Sequence, residues 1–348
     1  MTIEFDLSDE QRQVVQAIED VLSDRFPVAR LRDRRGGQDR TALDHAFTLG
    51  WPGLAIAEDH GGAGLSLVED VQLYRAAGRH LVTPTLMASS LAAHLALACG
   101  DSGLAAAILG GEKRVCLANV LSGGAPDQAA RTLALYDAEG ADFCLYWTAD
   151  RITCLAIADL GAPQDARCID RTVSLRHASL VPAETQSLAG DAAQSLRRRA
   201  DLLLAAQLLG LAEGALDLAV DYAKIRQQFG QPIGAFQAIK HRCADMKVRN
   251  KVLGALVAMA ALSERSGRDD AVAQIAAARL LASRYAIENA AGGIQIHGAM
   301  GFTAECDAHL YLLRGHLLEN VGSGAPDREV EMASLPLGAA QTERSSSS

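Results

Sequence analysis

The chain has no C-x-x-C pair, no excess of basic over acidic residues and no unbroken apolar run of the ~18 residues that a membrane span needs. Each absence removes a class of protein. Seven cysteines, an odd number scattered singly, argue against a disulfide scaffold or a zinc ribbon. They predict free thiols in a reducing cytoplasm and no metal site. Without a long apolar run, no membrane span is expected. The opening Met-Thr-Ile-Glu-Phe-Asp-Leu-Ser lacks the basic-then-apolar order of a signal peptide. Lys and Arg number 33 against 42 Asp and Glu, a net charge of −9, so no global field draws the chain to nucleic acid or to anionic membrane. What is present is an ordinary globular balance, 49% apolar and 22% charged over 348 residues. That length predicts two or three domains at ~150 residues each.

Periodicity divides the chain into three. Ser8-Asp9-Glu10-Gln11 fits a capping box, and Val14, Val15, Ile18, Val21, Leu22 and Phe26 follow at helical spacing. Gly50-Trp51-Pro52-Gly53 through Gly61-Gly62-Ala63-Gly64 predicts a long turn region. A second helix is expected from near Leu65, and Ala-rich segments from Leu86 to Leu109 predict one or two more. From about Lys113 the texture changes to short apolar runs, Val115–Ala118, Thr132–Tyr136, Phe143–Trp147 and Ile152–Ile157. Turn clusters at Ser122-Gly123-Gly124, Asp137–Gly140 and Gly161-Ala162-Pro163 separate them, so a small antiparallel sheet is expected. Long helices return from Asp191: Leu202–Ile225, Phe236–Leu262, Asp269–Ile296 and His309–Asn320. The first and third are apolar around much of their circumference, which predicts a large interface with a related subunit. The expected layout is mainly α. It has an N-terminal helical domain (1–112), a shortened middle β domain (113–190) and a C-terminal four-helix bundle (191–348) with a disordered tail from Gly322.

Two segments are candidates for chemistry, the first beyond a plain helix-hairpin loop and the second, taken alone, readable as a helix C-cap and turn. Arg226-Gln227-Gln228-Phe229-Gly230-Gln231-Pro232-Ile233 breaks one long helix, and Gln237 opens the next, where free N–H groups welcome an anion. Gly292-Gly293-Ile294-Gln295-Ile296-His297-Gly298-Ala299-Met300-Gly301-Phe302-Thr303 runs a helix into glycines whose bare backbone can approach a ligand.

Together these segments resemble the acyl-CoA dehydrogenase superfamily. Its pattern is an Arg-x-x-Phe-Gly-x-x-Ile loop with a following Gln, then Gln-Ile-His-Gly-Gly-x-Gly-Phe-Thr. Ala299 stands here in place of a glycine. Gly53–Gly64 resembles the family's N-terminal glycine-rich turn, and the helix–sheet–helix order is also the family's. The resemblance implies α,β-desaturation of an acyl-CoA: a carboxylate removes the α proton while the β hydride moves to FAD. It further implies that Arg226 and Phe229 touch an FAD held mainly by a neighbouring subunit, with Arg226 paired to the pyrophosphate. Gln237 would lie beside the adenine, and Gln295, Gly298 and Ala299 would face the ADP half.

The family's base is missing from both of its usual places. One falls at Ala200, the other at Val321-Gly322-Ser323, with Asp201 and Glu319 the nearest acids. The middle segment also departs: Leu117–Pro126 lacks the Thr-Glu-Pro-Gly-x-Gly-Ser-Asp-like turn of members that hold their own flavin. Trp147-Thr148-Ala149-Asp150 is a loose echo of their Trp-x-Thr-Asn strand. The resemblance therefore implies the shortened subunit of a heteromeric, α2β2 acyl-CoA dehydrogenase that completes the FAD site of a catalytic partner. Paired subunits of this kind occur in bacterial steroid side-chain degradation, and His309-Leu310-Tyr311-Leu312 looks like that branch. The electron acceptor would be of the electron-transfer-flavoprotein kind. Two alternatives stand beside it: a self-sufficient homo-oligomer with Asp201 as relocated base, and a cofactor-free interaction protein.

Overall fold

In the computed structural model, which describes residues 7–32, 40–121, 132–180 and 186–322, local side-chain chemistry sets where helices begin. α1 (Asp9–Arg25) starts behind the expected capping box: the Ser8 hydroxyl accepts the Gln11 N–H at 3.2 Å and Gln11 Oε1 accepts the Ser8 N–H at 2.9 Å. α2 (Arg40–Thr48) has no counterpart among the expected helices. α3 (Leu67–Arg79) follows a second capping box, Ser66 with Glu69. α4 (Thr85–Ala98) and α5 (Ser102–Leu109) divide the Ala-rich stretch. The break falls at Gly100, whose φ of 80° lies in the left-handed region, and the Asp101 carboxylate then accepts the Leu104 N–H at 2.8 Å. In the glycine-rich turn, Gly62 is required by close approach: a Cβ there would lie 2.1 Å from the Ile56 carbonyl oxygen.

Strands follow: β1 (Val115–Leu121), β2 (Thr132–Tyr136), β3 (Phe143–Trp147), β4 (Arg151–Ala156), β5 (Gln164–Ala166), β6 (Leu175–Ser179) and β7 (Gln186–Ala189). They form one sheet in the order β5-β6-β2-β1-β3-β4-β7. The expected purely antiparallel sheet is corrected at one pair, since β1 and β3 run parallel. The cause is local. β2 returns alongside β1, and the short Asp137–Asp142 link then passes the start of β1, where the Asp142 and Phe143 amides both bond the Arg114 carbonyl. β3 thus begins level with β1, on its other edge, and runs the same way.

The C-terminal helices are α6 (Gly190–Ile225), α7 (Gln237–Arg265), α8 (Ala271–His297) and α9 (Ala308–Glu319). α6 begins twelve residues before Leu202, through a polar first stretch. Leu202, Leu203, Leu204, Leu208 and Leu211 face different sides of it and are all fully buried. Its all-round apolarity is therefore taken up within the chain, against α3, α7, α8 and α9, and not by an outer face as the composition suggested. α6 also reaches the length and mean hydropathy of a membrane span, which a search for unbroken apolar runs misses because Glu213 and Asp217 interrupt it. That apolar stretch is 78% buried inside the fold, so it is a core helix. Arg314 of α9 fastens helices to sheet: it bonds Asp170 at 2.5 Å, Thr172 at 3.0 Å, and the Leu81 and Val82 carbonyls at 2.7 and 2.9 Å. All seven cysteines are unpaired thiols. The Ser122-Gly123-Gly124 turn and the tail beyond Gly322 lie outside the described residues.

Candidate functional site

Arg226 caps the C-terminus of α6 and is exposed. Its amide bonds the Tyr222 carbonyl at 2.9 Å, and its carbonyl accepts the Ile233 N–H at 2.8 Å. That closes a tight hairpin of β8 (Gln227–Gln228) and β9 (Gln231–Pro232). Phe229 and Gly230 form its tip, with φ of 51° and 81°. Positive φ at both central residues is the hairpin geometry that matches strand twist, and glycine adopts it freely. A phenylalanine does so under strain. Phe229 is also 92% exposed, and its ring meets Phe236 edge-on at 6.1 Å. A strained, exposed aromatic is a feature of sites that meet a partner or ligand.

Gln237 is the first residue of α7 and is exposed. Phe236 before it supplies no side-chain cap, while its carbonyl accepts the Ile239 and Lys240 amides, each at 3.1 Å. Gln295, on the last turn of α8, is exposed and lines a groove of about 550 Å³ with Ala238, His241 and Arg242 of α7. Gly298 ends α8 at φ 62°, ψ −140°, a conformation that excludes most side chains, and a Cβ there would meet open space. Ala299 is exposed in the 3-10 turn that follows, so its methyl crowds nothing in this chain. The two motifs, some sixty residues apart in sequence, are joined by a buried contact. The His297 ring stacks on Tyr222 at 4.3 Å and its Nδ1 bonds the Gly293 carbonyl at 2.8 Å.

Asp201, next to the first base position, and Val321, in the second, are brought together around a residue that sequence reasoning passed over. Arg279 of α8 is 1% exposed. Its guanidinium donates to the Leu318 carbonyl at 2.9 Å, to the Val321 carbonyl at 3.3 Å and to the Ser283 hydroxyl at 2.6 Å. Its Nε lies 3.8 Å from Asp201, which Arg197 also approaches at 4.0 Å. Asp201 is thus a counter-charge within a lattice of arginines. The signal that could have found Arg279 is its setting, one charge inside Ala276-Ala277-Ala278 and Leu280-Leu281-Ala282. Glu319 bonds His316 Nδ1 at 2.7 Å. Val321 is fully buried, and the Gly322 amide donates to Asn119 Oδ1 at 3.0 Å while Asn119 Nδ2 donates to the Asn320 carbonyl at 2.6 Å. A Cβ at position 322 would sit 2.5 Å from the Trp147 ring nitrogen. Ser323 lies outside the described residues.

Ala200 itself is fully buried. Its neighbour Arg199 reaches into the N-terminal helices and pairs with Asp70 at 2.6 Å. Burial pushes the Asp70 carboxyl up to about 7 against the pull of Arg199. Nearby, burial and the Arg199 charge push His94 down to about 3, and His94 Nε2 has no hydrogen-bond partner among the described residues.

Comparison with known proteins gives this geometry its family. The model of the acyl-CoA dehydrogenase N-terminal domain matches residues 8–111, and that of the C-terminal domain matches residues 193–332. The acyl-CoA dehydrogenase IpdE2 of Mycobacterium tuberculosis is 36% identical over 268 residues, covering 77% of each chain. FadE34 of the same organism is 34% identical over 285 residues, but these make up 77% of this chain and only 38% of FadE34. A variant of the Tcur3481-Tcur3483 steroid acyl-CoA dehydrogenase shares the fold, with a TM-score of 0.79 at 22% identity over 93% of this chain and 97% of that one. The chain belongs to the acyl-CoA dehydrogenase family.

Proposed function

We propose that this chain is the non-catalytic subunit of an FAD-dependent, heteromeric (α2β2) acyl-CoA dehydrogenase, and that it completes the flavin site of a catalytic partner. The observation that carries this reading is Arg279. The Val321-Gly322 place, and Asp201 next to Ala200, meet at a buried guanidinium bonded to backbone carbonyls. α-Proton abstraction needs a free carboxylate within hydrogen-bond reach of the substrate carbon. Asp201, engaged by Arg279 and Arg197, does not meet that need.

The other end of the bundle fits a donated role. FAD, when bound, supplies the hydride acceptor. Arg226 would pair with its pyrophosphate as a planar fork, and the uncapped start of α7 would present Gln237 and backbone amides to the ADP half. Gln295 and the Gly298-Ala299 backbone would close around the same half. Phe229 would press its ring on the partner. The substrate would be an acyl-CoA, of steroid origin if the likeness in His309–Leu312 and in the steroid enzyme above extends to chemistry. Electrons would leave to an electron-transfer-flavoprotein-like acceptor. The unpaired thiols fit a reducing cytoplasm.

The test is turnover with and without a partner. The full chain alone should not oxidise acyl-CoA thioesters, including a steroid-CoA. Co-expressed with a catalytic acyl-CoA dehydrogenase subunit that complements it, it should yield an active complex. Turnover by the chain alone sinks the proposal.

A further inference from the structure

α7 carries two apolar stripes where its own fold uses one. Met246, Leu253, Val257 and Ala260 are buried against the rest of the chain. Val248, Val252, Ala255, Met259 and Leu262 repeat at spacings of four and three residues, and this stripe starts two residues, about 200°, around the helix from the first. Val248 is 61% and Val252 47% exposed, Ala255 is exposed, and Met259 and Leu262 are half-buried. Apolar residues at heptad spacing on an outer face make a seam for another helix. Beside the seam, Lys240, Lys247, Lys251 and Arg265 project from one flank, and all four are exposed. The two acids of α7 are elsewhere: Asp245 lies on the opposite flank, and Glu264 faces inward, paired with Arg198 at 3.0 Å. Two acids of the adjacent α6 are taken by the chain's own arginines, Glu213 by Arg75 and Asp217 by Arg79, both at 2.6 Å.

We infer that this face of α7 docks a helix of a related but distinct subunit whose apolar seam is edged with acidic residues, in preference to a second copy of this chain. In a two-fold contact between identical chains, a surface meets itself. An antiparallel pairing of two α7 helices would set the lysine flank against the lysine flank, and like charges so placed oppose association. An acidic flank turns the same geometry into attraction, as in the pairing of charged coiled-coil edges. The seam also runs on towards the cofactor-facing end: Gln237 and His241 lie within about 20° of Val248 around α7. This inference rests on the heteromer reading and names the chemistry of the partner's face.

A charge-reversed copy of the chain serves as the acidic probe. Full-length wild type, the double variant Lys247→Glu/Lys251→Glu, and an equimolar mixture are compared by sedimentation velocity at low and high ionic strength. Thermal unfolding checks that these exposed substitutions leave the fold intact. The mixture should associate at least about tenfold more tightly than either chain alone. The gain should vanish at high salt and when both chains also carry Val248→Asp and Val252→Asp. A mixture no tighter than the wild type alone overturns the inference. So does wild-type self-association that Val248→Asp abolishes but lysine reversal leaves unchanged. Flavin retention in the co-expressed complex with Arg226→Ala reads the cofactor role separately. Loss of flavin there, with an α7 face indifferent to charge, would keep the heteromer and reject this face.

Discussion

Where α6 gives way to α7, Ile225, Phe229 and Phe302 stand 77%, 92% and 76% exposed, Phe229 is held at positive φ, and the first turn of α7 has no side-chain cap. Towards the opposite end of α6, Ala200 and Val321 are wholly buried, and Arg279, Asn119, Asn320 and Gly322 bond one another's segments at ordinary distances. Among the described residues, one end is strained and open, the other relaxed and closed. Strain and exposed apolar surface persist only when something offsets them. The open end therefore speaks for a partner and the closed end for self-sufficiency in folding.

The largest effect should come from breaking the closed end. Arg279→Leu removes the guanidinium donor from the Val321 carbonyl, leaves the Leu318 carbonyl only its backbone donors, and leaves Asp201 to Arg197 as counter-charge. Removing one partner from such an interior costs about 3–5 kcal/mol, so urea unfolding of the chain should shift by that amount. A loss under about 1 kcal/mol would mean that the guanidinium does not hold α9 in place. Next comes the open end: Arg226→Ala in the complex should weaken FAD retention by about ten- to hundredfold, ~1.5–3 kcal/mol, with little change in the chain's own unfolding. Unchanged flavin occupancy after dilution and gel filtration would remove Arg226 from the cofactor site.

A smaller, pH-dependent effect should come from the interior near Arg199. His94 titrates near 3 in the fold and near 6.5 when unfolded. Below about pH 6.5 the unfolded chain therefore binds the extra proton, and stability falls with falling pH through that window. At pH 5 the cost is about 2 kcal/mol. Asp70, pushed up to about 7, acts in the opposite sense: the folded state holds its proton between about pH 4 and 7, so its share of stability falls as pH rises. His94→Gln should remove only the first contribution, making the variant gain on the wild type between pH 7.5 and pH 5 in thermal melts. Parallel melts for the two proteins would refute the neutral buried imidazole. Smallest of all is Asp201→Asn, which should change turnover of the complex by less than about threefold, under ~0.7 kcal/mol of barrier. A near-total loss of rate with flavin intact would make Asp201 the base and erase the contrast between the two ends.

Legibility in the sequence followed physical strength of signal. α1, the four C-terminal helices and β1 to β4 announce themselves by periodicity and by capping or turn residues. β5 is a three-residue strand, largely exposed and without alternation. β7 is four residues long, none fully buried, so neither carries a burial pattern to read. α2 spans nine residues, too few to establish a period. The start of α6 was hidden because Gln194, Arg197, Arg198 and Arg199 look like a polar link, although Arg199 turns inward to Asp70. The residues of the open end stand out in the sequence because they are consecutive, from Arg226 to Gln237 and from Gln295 to Phe302. The closed end was not. It depends on Arg279 meeting Asp201 and Val321 across the fold, and no local pattern marks such a meeting.

Flavin stoichiometry tests the contrast most directly. The co-purified complex, denatured to release its flavin and quantified by absorbance against total protein, should contain one FAD for each pair of unlike chains, and this chain purified alone should be colourless. One FAD for every chain in the complex, or a yellow and active chain on its own, would contradict the account.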